Sequence, residues 1–530
     1  MSGPDAESAR SLPPLAALKP GDAFPPLEAA WPANSPSPGL LAGGGALDAL
    51  QCGINLGNDF LWTWLVYMLL GVGVLFTLGT GFVQLRLLGR SVREMLGSRS
   101  DGDDAHGHGI TPFQAFVTGL ASRVGTGNIA GVAIAISTGG PGAVFWMWMT
   151  ALLGMSSAFA ESSLAQLFKV RDHGNRQFRG GPAYYITHGL RQRWLGTVFA
   201  LSMILCFGFV FNAIQSNTII EAVKSAAGCA SGSGACEQDW QVYRHALGAV
   251  LIIITAPIIF GGIRRVSRIS EALVPIMATA YLLMALYVIA MNLDRVPQMF
   301  ALIFDNAFDF RSAAGGLAAK AMQLGIKRGL FSNEAGMGSA PNAAAAADVK
   351  HPVSQGMIQM LGVFVDTIVV CSCTAFIVLL SDMPADSTLT GIQLTQSALE
   401  SQVGGFGQYF LAVVLFMFAF SSVIGNYAYA ESNVQYLHSH RLTLAIFRMA
   451  VLAFVYFGAV AKVGLVWDMG DLSMGIMSFI NLVAIVLLCP LVFMLLKDYS
   501  AQLRAGSKEP VFRLAAHPQL KGRVPQADIW

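Results

Sequence analysis

The stretch Val124-Gly-Thr-Gly-Asn-Ile-Ala-Gly131 interrupts a run, Pro112–Thr138, that is otherwise apolar and long enough to be a membrane helix. Closely spaced glycines weaken a helix interior. A second interruption, Phe331-Ser-Asn-Glu-Ala-Gly-Met-Gly-Ser-Ala-Pro-Asn342, lies far downstream. Unwound backbone exposes N–H and C=O groups that hydrocarbon cannot satisfy, so each break must line a protected cavity. There the half-helix ending near Gly125 presents carbonyls to a cation, and the half-helix beginning near Asn128 directs N–H groups at an anion. In the second break Pro341 suits the first position of a new half-helix, which puts Ser339 or Ala340 at its cap. A phosphate-binding reading of Gly125-Thr-Gly-Asn fails, because no Gly-Lys-Ser/Thr follows and no strand precedes it.

Composition supports the membrane context. The chain of 530 residues is 54% hydrophobic and only 12% charged, where a soluble protein carries about a quarter charged residues. Its 56 glycines fall inside the apolar stretches, where membrane helices tolerate them. With 33 Lys+Arg against 31 Asp+Glu, the chain lacks the concentrated basic face of a nucleic-acid binder. The reading is an all-α polytopic membrane protein whose surroundings are lipid.

Ten apolar runs are long enough to cross the bilayer: Leu61–Val83, Pro112–Thr138, Gly142–Phe168, Leu195–Val223, His245–Gly261, Ala272–Met291, Val353–Ser381, Tyr409–Gln435, Leu442–Ala461 and Ser473–Leu496. An eleventh candidate, Gly315–Ala346, is Gly/Ala-rich and carries Lys320, Lys327 and Arg328. If it crosses, the segments on one side carry seven Lys/Arg and those on the other 21. If it does not, the basic tail Lys497–Trp530 faces outward and the Lys/Arg-free loop Asp382–Gln408 faces the cytoplasm. The positive-inside rule favours eleven transmembrane helices in the inner (plasma) membrane, with the N-terminus outside and the C-terminus in the cytoplasm.

Met1–Phe60, rich in Pro, Ala and Gly and without a signal-peptide pattern, reads as an extracytoplasmic tail, and residues 61–83 as one additional N-terminal helix. Ten spans remain, a first repeat over residues 112–291 and a second over 315–496, followed by a cytoplasmic tail over 497–530. Each repeat opens on a broken helix. Five being odd, the two halves have opposite orientation, and paired breaks at matching positions of an inverted 5+5 repeat point to the midplane site of a secondary transporter.

Five motifs carry a family likeness: Gly79-Thr-Gly-Phe-Val-Gln84, the first break, Gly139-Gly-Pro-Gly-Ala-Val-Phe-Trp-Met-Trp-Met-Thr-Ala-Leu-Leu-Gly154, Phe178-Arg-Gly-Gly-Pro-Ala-Tyr-Tyr185 and Lys327-Arg-Gly-Leu-Phe-Ser-Asn-Glu-Ala-Gly-Met-Gly-Ser-Ala-Pro341. Together they resemble the alanine or glycine:cation symporters, also called sodium:alanine symporters, from about Leu47 to Leu496. The resemblance implies a fold like the leucine transporter and Na+ as the coupling ion for uptake of a small neutral amino acid. It implies that the substrate carboxylate meets backbone around Thr126, Gly127 and Asn128, with polar contacts from Asn212 and Gln215 and an apolar wall from Phe209 or Phe211. Gly336, Gly338 and Ser339 of the second break join the substrate set. Sodium is expected at Val124 and Gly125 with the hydroxyls of Ser421 and Ser422. Asn426 stands where many alanine-transporting members have Trp, which makes room for glutamine or serine, with sodium or proton coupling.

Arg123, Glu334 and Asp366 fall inside spans, where an unpaired charge costs about 3 kcal/mol or more. They are gate candidates, and Arg123 with Asp366 is a candidate ion pair, gating or purely structural. Cys229 and Cys236 share the outer loop Lys224–Arg244 and are candidates for a disulfide. No intramembrane Ser/His or His/Asp set has catalytic spacing, so the reading is a transporter and not an enzyme. A channel would need a repeated filter sequence, which the chain lacks.

Overall fold

Helices satisfy their own backbone, and the apolar runs fold accordingly. The computed structural model describes residues 46–98, 109–172, 177–229, 234–308, 316–381 and 389–530, with only the backbone of 46–48, 234–239 and 316–317. In chain order the helices are α1 (Ala46–Gly79), α2 (Leu88–Gly97), α3 (Pro112–Arg123), α4 (Gly127–Gly139), α5 (Gly142–Leu167), α6 (Pro182–Gly189), α7 (Arg193–Ala226), α8 (Gly234–Ile259) and α9 (Gly262–Met291). They continue as α10 (Val296–Ala307), α11 (Gly316–Asn333), α12 (Pro341–Ala346), α13 (Pro352–Leu379), α14 (Gly391–Val403), α15 (Phe406–Leu437), α16 (Arg441–Val460), α17 (Val463–Leu487) and α18 (Cys489–Arg504). Between α5 and α6, β1 (Val170–Asp172) and β2 (Gln177–Arg179) form an antiparallel hairpin with Arg171 opposite Phe178.

Among the described residues nine helices are long and apolar enough to cross a membrane, and ten if the pair α3 and α4, bent by 52°, counts as one. The second broken pair, α11 and α12, falls outside that set because of its charges and short second half. Burial separates the spans into two groups. The most apolar windows of α8, α9 and α16 are 22%, 28% and 33% buried, against 72% for α13, so the first three form the exposed rim and α13 belongs to the core. The core also holds α3, α5, α11, α15 and α17. Glycine permits its tight crossings: a Cβ on Gly325 of α11 would lie 2.4 Å from the Ala143 carbonyl of α5, and one on Gly356 of α13 would lie 2.1 Å from Ser163 Oγ.

Helix α1 begins at Ala46, well before the apolar run at Leu61, and residues 1–45 of the expected tail lie outside the described residues. Its polar first turns are anchored on α17: Gln51 Nε2 donates to Asp468 Oδ2 (2.6 Å) and Asn58 Nδ2 to the Asp468 carbonyl (3.0 Å). The loop Asp382–Gln408 is likewise partly helical, with Ile392, Leu394 and Leu399 of α14 buried. Cys229 is disulfide-bonded, while the side chain of Cys236 lies outside the described residues.

Candidate functional site

The first break forms because α3 stops at Arg123, Val124 turns extended (φ −77°, ψ 90°), and α4 restarts at Gly127. Glycine is required there by close approach. A Cβ on Gly125 would sit 2.3 Å from Ser422 Oγ, and one on Gly127 would sit 2.7 Å from the Phe331 ring. The freed amides find side-chain oxygens: Gly125 N–H donates to Asn128 Oδ1 (2.9 Å) and Thr126 N–H to Gln215 Oε1 (3.1 Å). Gln215, named by the family resemblance, therefore lies against the first break. A wide turn at Ile204–Val210 precedes both residues in α7, a local feature common at functional sites.

At the carbonyl end, both serines of α15 reach α3. Ser422 Oγ lies 3.1 Å from the Ala121 carbonyl, 3.3 Å from that of Val124 and 3.1 Å from that of Phe418. Ser421 Oγ lies 3.3 Å from the Ala121 carbonyl and 2.8 Å from that of Phe418. Each hydroxyl has one hydrogen, so several of these oxygens meet without a proton between them. Such a set, at the negative end of a helix dipole, fits a hard cation bound by oxygen. Ala121 was not among the expected ligands, although one helical turn before Val124 puts it on the same face. The Gly125 carbonyl instead accepts the Asn128 N–H (3.3 Å).

The second break is filled differently. Glu334 has φ 57°, and Gly336 and Gly338 have φ 84°, so the chain turns through left-handed backbone before Pro341 opens α12 with Ala340 at its cap. The amides of Gly336 and Gly338 donate to Glu161 of α5 (3.3 and 3.1 Å), and Asn481 Nδ2 donates to the same carboxylate (2.8 Å). Ser339 Oγ donates to Glu334 (2.5 Å). In this structure a side chain of the protein itself therefore occupies the second break's amides. Glu161 carried one signal in the sequence, an acid within a span.

Asp366 and Arg123 do not pair. Asp366 accepts from Ser332 Oγ (2.6 Å), Asn128 Nδ2 (2.6 Å) and Thr367 Oγ1 (2.8 Å). Arg123 Nη1 donates to the Gln359 carbonyl (3.2 Å), in the space left by the missing side chain of Gly362. Asp366 nevertheless joins the two breaks, since Asn128 belongs to the first and Ser332 to the second. Asn426 accepts from Ser122 Oγ (2.6 Å), its Nδ2 having no partner. Asn212 Nδ2 turns back to the Gly208 carbonyl (3.0 Å), leaving its buried oxygen unpartnered.

Beside the breaks, the rings of Phe211, Phe331 and Trp467 pack against one another at a tilt, with centroids 4.8 and 5.0 Å apart. Phe209 points away, onto Phe454. Arg328 lies over Trp467 (4.9 Å) and grips Asp471 with two hydrogen bonds (3.0 and 2.9 Å), and Lys327 Nζ approaches the same carboxylate (2.7 Å). Beyond Trp467 a cavity of about 530 Å³ is walled by Gln51, Asn55, Glu221 and Asp468. At the other end a cavity of about 250 Å³ reaches Asn342 of α12 and is lined by Arg179 and the ion pair Glu431–Arg448 (2.9 Å).

Comparisons with known proteins agree with this architecture. The family model described as "Sodium:alanine symporter family" matches residues 47–514. The chain is 47% identical to "Amino-acid carrier protein AlsT" of Bacillus subtilis (strain 168), covering 90% of this chain and 97% of that one. It is also 47% identical to "Probable sodium/glutamine symporter GlnT" of the same organism, covering 87% and 92%. Its fold is similar to that of MhsT crystallised with L-phenylalanine, with a TM-score of 0.52 at 11% identity over 72% of this chain and 97% of that one. With paired helix breaks meeting at its centre and a family match over most of its length, the chain belongs to the sodium:alanine symporter family.

Proposed function

We propose that the protein is a secondary active transporter that couples inward sodium movement to uptake of a small neutral amino acid of the alanine or glycine class. The observation that carries this reading is the meeting of Ser421 and Ser422 with the carbonyls of Ala121 and Val124 beside the first-break amides. A sodium ion among these oxygens ties α15 to the end of α3. The substrate carboxylate takes the Thr126 amide by displacing the Gln215 oxygen, and the Phe211–Phe331–Trp467 cluster covers it from outside. Coupling follows when ion and substrate favour the same conformation of the two halves.

In this reading α11 and α12 are the eleventh span, and residues 112–291 and 315–496 are inverted repeats behind the additional helix α1. The seven-to-21 loop asymmetry in Lys/Arg supports that count, together with an outside N-terminus and an inside C-terminus. A second substrate reading, a larger polar amino acid such as glutamine or serine, is favoured by the unpartnered Asn426 Nδ2 and by the likeness to the relative named for glutamine.

Purified protein in liposomes is expected to accumulate labelled alanine or glutamine when an inward sodium gradient is imposed. Uptake indifferent to sodium would overturn the reading, and uptake driven by a pH gradient alone would replace sodium with protons.

A further inference from the structure

Three of the buried carboxylates, Glu161, Asp366 and Glu334, lie beside the breaks, and their donors differ in kind. Glu161 accepts from two backbone amides and a side-chain amide. Asp366 accepts from two hydroxyls and a side-chain amide. Both sets suit an ionised carboxylate, which only accepts. Glu334 meets hydroxyls alone: Ser339 Oγ at 2.5 Å from Oε2 and Ser122 Oγ at 3.1 Å from Oε1. Ser122 Oγ also lies 2.6 Å from Asn426 Oδ1.

The Ser122 hydroxyl has one hydrogen for two acceptors. If it donates to Asn426, an ionised Glu334 Oε1 faces a lone pair. A proton on Oε1 resolves the conflict, with Glu334 donating to Ser122 and Ser122 to Asn426. When that proton leaves, the chain reverses. Ser122 donates to the carboxylate, and the Asn426 amide turns so that Nδ2, now unpartnered, donates to Ser122 Oγ. Both arrangements satisfy Glu334 and Ser122, differ by one proton and one amide orientation, and leave a different Asn426 atom free: Nδ2 in the first, Oδ1 in the second.

We propose that Glu334 is a proton-binding site, read out through Ser122 at Asn426, so that its protonation sets whether the pocket wall offers a substrate side chain a donor or an acceptor. The proposal rests on the transport reading above and adds a proton to it. Glu334 holds left-handed backbone at φ 57°, a conformation uncommon for a residue with a side chain and maintained where surrounding contacts dictate it. Those contacts join the second break to α3 and α15. The charged and titratable groups that act on Glu334 are Arg123 from α3, Asp366 from α13, Tyr429 from α15 and Cys206 from α7. Arg123 forms no ion pair among the described residues, its Nε and Nη2 lacking partners, so no direct salt bridge holds Glu334 ionised.

The test uses liposomes with a fixed sodium gradient and equal pH on both sides, varied from about 5.5 to about 8.5, a range in which buried carboxylates titrate. In the wild type the ratio of glutamine to alanine uptake is expected to change several-fold across the range. In Glu334→Gln, which cannot lose a proton, the ratio should be flat; a profile identical to the wild type overturns the proposal. Absence of sodium-driven uptake in the wild type would instead sink the transport reading. Infrared difference spectra of the purified protein between the two pH limits give a measurement independent of transport. They should contain a carboxylic C=O band that Glu334→Gln removes. Should that variant fail to fold, Ser122→Ala, which deletes the acceptor of the protonated carboxyl, must shift the band to higher frequency. A band unaltered in position overturns the assignment.

Discussion

At the scale of single residues, the centre of this protein is organised by which oxygens lack hydrogens. Ser422 approaches three carbonyls with one hydroxyl hydrogen, and that surplus of oxygen is what a sodium ion would neutralise. Ser422→Ala is therefore expected to raise the sodium concentration for half-maximal uptake about tenfold, equivalent to about 1.4 kcal/mol, as measured from sodium titrations of initial rate. An unchanged sodium dependence would place the ion elsewhere. Asn426 belongs to the same scale. Asn426→Trp fills the space beside Ser122 and should abolish competition by glutamine before competition by alanine; an unchanged ranking would show that position 426 does not touch the substrate. Both residues were marked in the sequence by the family resemblance, not by any local pattern of their span. Ser122 and Ala121 were not, because nothing local distinguishes them from other small residues of α3.

At the scale of elements, the two breaks are chemically unlike. The first presents amides that side-chain amides occupy and a ligand carboxylate can claim. The second already holds the Glu161 carboxylate on the amides of Gly336 and Gly338. A side chain bound within the chain is continuous support for a break that would otherwise expose its N–H groups. The ion-paired and aromatic cover, on the outer side in the proposed orientation, is equally an assembly of elements: α11 supplies Lys327, Arg328 and Phe331, α17 supplies Trp467 and Asp471, and α1 contributes Trp62, whose Nε1 donates to the Asp471 carbonyl (3.2 Å). Asp471→Asn removes the carboxylate that both cations contact, and uncompensated buried charge costs about 3–5 kcal/mol. The expected outcome is faster modification, by an impermeant thiol reagent from outside, of a cysteine placed at Phe331 in the variant than in the wild-type background. Equal rates would show that the ion pairs do not hold the outer side closed.

At the scale of the whole molecule, orientation comes from where few charges sit. A single cysteine at Gln408, in an otherwise cysteine-free protein, should react with an impermeant reagent on intact cells, and one at Ser507 only after permeabilisation; the reverse pattern would invert the topology. The spans were legible along the chain because hydrocarbon demands long apolar helices whatever their neighbours, and the breaks were legible because glycine and polar residues inside such a helix have a local cost. Helix α14 within the loop Asp382–Gln408, and the polar start of α1, were not, since both are held by contacts to distant helices. The same distinction runs through the site. Local sequence determined that there are two breaks, that one ends in carbonyls and restarts in amides, and that acids lie inside the membrane. Only the tertiary structure decided their partners: Asp366 on Asn128 and Ser332 instead of Arg123, Glu161 on the second break, and Glu334 linked through Ser122 to Asn426. The physical reason is that backbone propensity and hydrophobicity act over a few residues, whereas a hydrogen-bond partner is set by which helix faces close packing brings within about 3 Å.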